Sequence, residues 1–122
     1  MKAITLGEAG IALAEIDPPS PQPNQILVKV HACGLNRSDL LTTQGHNYGH
    51  VGGDAKVMGA EFTGEVVEVG SDAEGINVGN RVMCQGAAGW AEYALANWRR
   101  ALPVPSADVS YEQAASLGGA LR

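Results

Sequence analysis

The alternation of apolar and polar residues is clearest in residues 25–33. One face of this stretch carries Ile26, Val28, Val30 and Ala32, and the other carries Lys29, His31 and Cys33. A period of two residues is the side-chain period of a β-strand. The pattern therefore predicts a strand whose first face packs against a core.

Shorter β-compatible runs occupy much of the remaining chain. They are residues 2–6, 11–16, 62–69, 81–86, 90–97 and 99–104. A proline-rich connector at 17–24, a glycine-rich segment at 45–53 and a turn segment at 71–80 separate them. Proline removes a backbone donor and disfavours helix interiors and central strands. The chain is therefore predicted to be mainly β, with many turns.

Two segments have helical signals. Residues 37–43 have room for one or two turns, and Ser110 and Gln113 have the spacing of a capping box. A helix that begins at Ser110 is followed by apolar positions at Ala114, Ala115, Leu117 and Leu121. So short a helix needs a surface to pack on. We expect these apolar residues to pack on a domain beyond residue 122.

The composition bounds the class of protein. A chain of 122 residues fits one domain, and 45% hydrophobic residues are ordinary for a globular protein. The net charge of −5 disfavours a nucleic-acid partner, because phosphate binding needs clustered Lys and Arg. No apolar run approaches the roughly 20 residues that a membrane helix requires. We therefore expect a cytoplasmic protein that binds neither nucleic acid nor membrane.

The cysteines and histidines do not form an evident metal site. Two cysteines are too few for a disulfide scaffold, and we expect both Cys33 and Cys84 to be small buried apolar residues. His31 shares a strand face with Cys33, but no third ligand is evident. His46 and His50 lie in a glycine-rich segment, where the helical geometry that would bring them together is disfavoured. We interpret them as solvated loop histidines.

Several motifs have an informative order and spacing. Residues 59–73 read Gly-Ala-Glu-x2-Gly-x5-Gly-x2-Ala, residues 32–40 read ACGLNRSDL, and residues 78–82 read VGNRV. Together with residues 88–97 and 110–117, they resemble motifs of the medium-chain dehydrogenase/reductase superfamily. That superfamily has Gly-His-Glu where this chain has Gly-Ala-Glu. The resemblance covers nearly the whole chain.

Two departures from the motifs indicate the subgroup. Zinc-dependent alcohol dehydrogenases of the superfamily have a ligand cysteine at the position of Asn36 and a ligand histidine at the position of Ala60. Neither an amide nor a methyl group replaces such a ligand, and a catalytic zinc needs three protein ligands. The four-cysteine loop of the structural zinc is also missing. The chain therefore resembles the zinc-independent quinone oxidoreductase branch, and we expect no metal.

The resemblance implies transfer of hydride from NADPH to a quinone or another conjugated carbonyl. It implies Asn36 and Tyr48 as catalytic donors to the carbonyl oxygen, where one donor is worth about 3 kcal/mol. It implies Asn36 and Arg37 as cofactor-binding residues, since a guanidinium suits the pyrophosphate. Ser38 is interpreted as a capping residue, and Glu61 as a buried structural acid paired with a cation.

The resemblance also implies the domain organisation. Residues 1–122 resemble the N-terminal catalytic (substrate) domain of the family, a GroES-like, partly open, mainly β barrel with short helices. The Gly-x-Gly-x-x-Gly fingerprint of a dinucleotide-binding domain is absent. We therefore expect a chain that is truncated before the Rossmann domain and inactive by itself. The missing domain would make most of the contacts with NADPH. The whole enzyme would be a homodimer or another homo-oligomer.

Two other functions remain open from the sequence. A zinc-dependent alcohol dehydrogenase is disfavoured by Asn36 and Ala60, and metal analysis would distinguish it. A non-catalytic GroES-like interaction module is the second alternative, because the same barrel serves co-chaperonins and a fold does not determine a function. The site segment around Asn36 argues against such a module.

Overall fold

Eight β-strands account for most of the regular structure in this computed structural model, which describes residues 1–8, 10–37, 39–40, 56–86 and 88–116. The strands are β1 (Lys2–Gly7), β2 (Gly10–Glu15), β3 (Gln25–Cys33), β4 (Lys56–Val57), β5 (Glu61–Val69), β6 (Arg81–Gln85), β7 (Tyr93–Asn97) and β8 (Ala101–Pro103). A 3-10 turn spans Trp98–Arg100, and an α-helix spans Tyr111–Ala115. Arg37, Asp39 and Leu40 also have helical backbone conformation.

The strands form two antiparallel sheets. The smaller sheet has the order β2-β1-β4, and the larger has the order β7-β3-β5-β6-β8. The larger sheet curls into a half-barrel, so the predicted mainly β, partly open barrel with short helices is confirmed. Most of the strands predicted from the hydrophobic pattern are present, and β3 has the predicted bounds.

The core lies between the inward faces of the larger sheet. Its buried residues are Ile26, Val28, Phe62, Val66, Val82, Cys84, Ala94 and Ala96. Ile26 and Val28 belong to the predicted inner face of β3, while Lys29 and His31 are less buried, as the alternation requires. Burial of these side chains, at roughly 25 cal/mol per Å² of apolar surface, is the main stabilisation of the barrel.

β3 and β5 form the centre of the larger sheet and carry the longest pairing. Cys33 pairs with Phe62, and the register shifts between Leu27 and Val28 and again between Val30 and Ala32. Such irregularities bend and twist a strand. The pairing brings the end of β3 beside the beginning of β5, which positions the candidate site.

The strand predicted at residues 90–97 is shorter in the structure, because β7 begins at Tyr93. The preceding backbone bonds to the smaller sheet instead. The Ile4 N–H donates to the Trp90 carbonyl at 2.8 Å, and the Glu92 N–H donates to the Lys2 carbonyl at 3.1 Å. Residues 90–92 therefore join the two sheets.

The strand predicted at residues 99–104 is also shorter, since β8 begins at Ala101. The Asn97 side chain accepts a hydrogen bond from the Arg99 N–H at 3.0 Å and caps the 3-10 turn. A side-chain cap of this kind competes with strand pairing.

The helix predicted at Ser110 is confirmed. Ser110 is its N-cap, and a capping box with Gln113 is complete in both directions. Ala114 and Ala115 are 0% and 4% exposed and lie against β3 and β5. The expectation that these two residues pack on another domain was therefore wrong. Leu117 and Leu121 lie outside the described residues.

The described helices include none that is long and apolar enough to cross a membrane.

Candidate functional site

Asn36 lies just past the end of β3, where the chain turns into helical backbone. The Gly34 N–H donates to the Glu61 carbonyl at 2.9 Å, which extends the pairing of β3 and β5 by one bond. The Asn36 N–H then donates to Oδ2 of the buried Asp39 at 2.9 Å. The Asn36 carbonyl accepts from the Asp39 N–H at 3.0 Å. Asn36 is thus held by its own backbone at the first turn of a helical segment.

The side chain of Asn36 contacts the carboxylate of Glu61. Its Nδ2 donates to Glu61 Oε2 at 3.2 Å. Glu61 is 5% exposed, whereas Asn36 is exposed. A carboxylate oxygen accepts hydrogen bonds, so the amide nitrogen rather than the amide oxygen faces Glu61. A capping asparagine acts in the opposite sense, because its side-chain oxygen accepts from the backbone.

Glu61 is buried as predicted from the sequence. The structure places its carboxylate against an amide of the candidate site. The predicted cation partner of Glu61 stays a prediction.

Gly34 and Trp90 support this contact, and the sequence pattern did not indicate their role. A Cβ atom at Gly34 would lie 2.8 Å from Glu61 Oε2 and 3.1 Å from the Ala115 carbonyl oxygen. Trp90 Nε1 donates to the Gly34 carbonyl at 3.3 Å. Gly59 permits the position of Trp90, because its φ is +111° and a Cβ there would lie 2.5 Å from Trp90 Cδ1. The sequence signal that could have indicated this close packing was the presence of Gly34 and Gly59 inside the two site motifs.

The other sequence-predicted site residues have different outcomes. Arg37 follows Asn36 directly and is exposed, so its guanidinium is accessible to a ligand. Tyr48 and Ser38 lie outside the described residues, as do His46 and His50. Ala60 directly precedes Glu61, and its carbonyl accepts from the Gly86 N–H at 2.9 Å. Position 36 thus belongs to the Asn36–Glu61 contact, and position 60 directly precedes it in the chain.

A metal ion needs several ligand side chains that converge on one point. Within the described ranges, no group of three or more His, Cys, Asp and Glu side chains is placed to hold a metal ion. The zinc-free assignment depends on the residue types at positions 36 and 60 and stays a prediction.

The prediction for the two cysteines was right for one of them. Cys84 is buried in the core, whereas Cys33 is exposed at the outward-facing end of β3. The outward face of the strand is not covered there, so a position that alternates away from the core reaches solvent. Partial burial of its sulfur nevertheless raises the pKa of the Cys33 thiol, and the charge of Asp39 raises it further.

His31 contacts the C-terminal helix. Its ring stacks on Tyr111 with centroids 4.3 Å apart and planes 11° apart. The Arg81 guanidinium lies 4.6 Å from the centre of the same Tyr111 ring, and Thr63 Oγ1 donates to the Tyr111 carbonyl at 2.9 Å. His31 is therefore a contact of the helix on the barrel.

Comparison with known proteins gives a consistent result. The domain family described as the alcohol dehydrogenase GroES-like domain matches residues 22–106. Quinone oxidoreductase-like protein 2 of Bos taurus is 33% identical over 108 residues, which cover 88% of this chain and 30% of that protein. Quinone oxidoreductase of Rattus norvegicus is 32% identical over 102 residues, which cover 82% of this chain and 30% of that protein.

A solved structure agrees with these relatives. The crystal structure of Escherichia coli quinone oxidoreductase complexed with NADPH superposes with a TM-score of 0.84 at 26% identity, covering 94% of this chain and 36% of that one. The chain thus spans 30% of the length of the two mammalian relatives. Since the family matches well over half of the chain, this protein belongs to the alcohol dehydrogenase GroES-like domain family, with quinone oxidoreductases of the medium-chain dehydrogenase/reductase superfamily among its relatives.

Proposed function

We propose that this chain is the substrate-side domain of an NADPH-dependent oxidoreductase that transfers hydride to a quinone or another conjugated carbonyl. The observation that carries the proposal is the exposed Asn36 amide, held by the buried Glu61 carboxylate at the position where zinc-dependent relatives have a metal ligand. The names of the relatives and the NADPH in the Escherichia coli structure support it.

The residues at this site fit a reduced dinucleotide. Asn36 has one N–H engaged with Glu61, and no other described residue bonds to its second N–H or its Oδ1, which are suited to a ligand. Arg37 is exposed beside it and has the charge and planar donors that a pyrophosphate requires. When bound, the dinucleotide supplies the hydride. Asn36 and Arg37 orient it, and Tyr48 is the candidate donor to the carbonyl oxygen of the substrate.

The proposed enzyme acts without zinc. Asn36 and Ala60 supply neither thiolate nor imidazole, and the Asn36 amide nitrogen is already directed at Glu61. Charge that develops on the substrate oxygen would then be stabilised by hydrogen-bond donors in place of a Lewis acid.

The whole protein is proposed to have a second domain that makes most of the cofactor contacts, because the mammalian relatives are more than three times as long as the matched region. The isolated residues 1–122 would then bind NADPH weakly and have little activity. A homodimer or another homo-oligomer, a quinone or enone substrate and a cytoplasmic location are parts of the same proposal.

The proposal is tested by substituting Asn36 in the full-length protein that contains this chain. We expect Asn36→Ala to lower quinone turnover with NADPH by about 10- to 1,000-fold, the range for one preorganised polar group. Because Asn36 is exposed, the melting temperature should hardly change. The control is Asn24→Ala, which removes another exposed amide, at the opposite end of β3 from the site. Turnover of Asn36→Ala equal to that of the control on several quinones would contradict the proposed role.

A further inference from the structure

We infer that Glu61 is a positioning residue, which sets the Asn36 amide so that its Oδ1 accepts a hydrogen bond from the carboxamide of a nicotinamide. The inference rests on the proposed function and deepens it, because it assigns Asn36 to the cofactor end of the reaction and not to the substrate oxygen. It also assigns a function to Glu61, which the sequence indicated only as a structural acid.

The first step is the orientation of the amide. Asn36 Nδ2 and Glu61 Oε2 are 3.2 Å apart. If the amide were turned over, its Oδ1 would face the carboxylate, and two acceptors without a hydrogen between them repel. A carboxylate that accepts from the amide in this way therefore permits one of the two orientations. A neutral amide at position 61 would permit both, since it has a donor as well as an acceptor.

The second step is the rigidity of the contact. Glu61 is 5% exposed and begins β5, where it pairs with Gln85 of β6. The chain at Gly34 passes so close to the carboxylate that a Cβ atom there would lie 2.8 Å from Oε2. Asp39 holds the backbone N–H of Asn36 at 2.9 Å. Both partners of the contact are thus fixed by bonds or packing other than their own hydrogen bond.

The third step is electrostatic. An amide that donates to an anion is polarised, so its oxygen becomes a stronger acceptor. The negative charge of the carboxylate also disfavours a second negative group bound beside Asn36 and favours a positive one, because charges interact strongly at short distance. These properties suit an N–H donor on a ring that is cationic when oxidised, as nicotinamide is. They do not suit a substrate oxygen that becomes negative, which leaves that oxygen to another donor such as Tyr48.

The experiment measures discrimination between two probes in the full-length protein. They are NADPH and its analogue in which a carboxylate replaces the nicotinamide carboxamide. The wild-type protein should bind NADPH more tightly, because the analogue has no N–H for Asn36 Oδ1 and a like charge to Glu61. In Glu61→Gln we expect the ratio of the two dissociation constants to fall by about tenfold, the order expected when a hydrogen bond in a charged setting is lost. Glu68→Gln removes an exposed acid of the same strand and should leave the ratio unchanged.

A charge-exchanged variant tests the orientation itself. In the double variant Asn36→Asp with Glu61→Gln, the glutamine can donate to the aspartate, which keeps an acceptor oxygen at position 36 and one negative charge in the pair. We expect this variant to bind NADPH itself more tightly than Glu61→Gln alone, a readout that repulsion of the anionic analogue does not affect. Recovery would be absent if Asn36 acted as a donor. This variant also replaces Glu61→Gln as the test if the single substitution fails to fold.

A measurement independent of the cofactor is the NMR spectrum of the Asn36 side-chain amide. The proton that donates to the carboxylate should be displaced downfield from its partner in the wild type and in Glu68→Gln. Unchanged Asn36 amide signals in Glu61→Gln, or an unchanged ratio of dissociation constants, would overturn the inference while leaving the proposed function intact. A wild-type protein that neither binds NADPH nor reduces quinones would overturn both.

Discussion

The thiol of Cys33 and the carboxylate of Asp39 flank the Asn36 amide in the chain and interact electrostatically. Burial is the larger cause of the raised pKa of Cys33, and Asp39 is the second. Both favour the neutral thiol over the thiolate, which is the nucleophilic form. The exposed position of Cys33 therefore does not make it a reactive cysteine at neutral pH.

This leads to a prediction for alkylation by iodoacetamide as a function of pH. We expect the rate at Cys33 to rise with an apparent pKa above the ordinary cysteine value of about 8.5. In Asp39→Asn the apparent pKa should fall, because a negative charge is removed, but burial should keep it above the ordinary value. Cys84 is buried and serves as the internal control, since it should stay unmodified in the folded protein. An inflection below the ordinary value in the wild type would contradict the electrostatic account.

At the residue scale, the sequence indicated the residues of the candidate site but not their arrangement. The motif around Asn36 indicated an amide in place of a metal ligand. The direction of that amide depends on Glu61, which the β3–β5 register brings alongside, and no local pattern contains this information. Cys33 was predicted to be buried because free cysteines usually are. Its position on the outward face of β3 indicates the exposure that the structure shows.

At the element scale, β3 was predicted with its full bounds because its period-two pattern reflects one buried face. Residues 90–92 were predicted as part of a strand but precede β7, because their backbone bonds to β1, which is distant in the chain. The capping box at Ser110 is a local signal and was predicted correctly. Local sequence patterns thus predicted the strand that has one buried face and the helix that has its own capping residues. They did not predict where backbone pairing with a distant segment ends a strand.

Gly64 tests the packing of the two central strands. A Cβ atom there would lie 2.0 Å from the Lys29 carbonyl oxygen and 2.7 Å from Val28 Cγ1. Because the oxygen belongs to the paired backbone, it cannot move aside as a flexible side chain can. We expect Gly64→Ala to lower the free energy of unfolding by about 1–3 kcal/mol, the usual cost of overpacking. Urea unfolding followed by tryptophan fluorescence measures the change.

The matched control for Gly64 is Gly86→Ala. Its Cβ atom would make ordinary contacts of 3.8 Å and 3.9 Å, and Gly86 does not have a positive φ. We expect this variant to lie within about 0.5 kcal/mol of the wild type, as surface substitutions usually do. Equal stability of the two variants would show that β3 and β5 are not packed as closely as described.

At the scale of the whole molecule, two sheets and one short helix meet around the Asn36–Glu61 contact. Trp90 belongs to the segment that joins the sheets, and it also donates to the Gly34 carbonyl beside the carboxylate. Ala115 of the helix presents its carbonyl to Gly34 from another side. The candidate site is thus held by both sheets and the helix together, which explains why its support could not be predicted from any one segment.

The same arrangement leads to a prediction for metal content of the whole protein. Asn36 and Ala60 occupy positions at which the zinc-dependent alcohol dehydrogenases that the motifs resemble have a thiolate and an imidazole. The acid next to Ala60, Glu61, accepts a hydrogen bond from the Asn36 amide. We expect purified protein to contain much less than one zinc per chain, and a chelator to leave its melting temperature unchanged.

The double variant Asn36→Cys with Ala60→His is the positive control, because it returns two ligands beside Glu61 and should take up zinc. Elemental analysis and thermal denaturation with and without chelator give the two readouts. One zinc per wild-type chain that survives dialysis would refute the zinc-independent assignment.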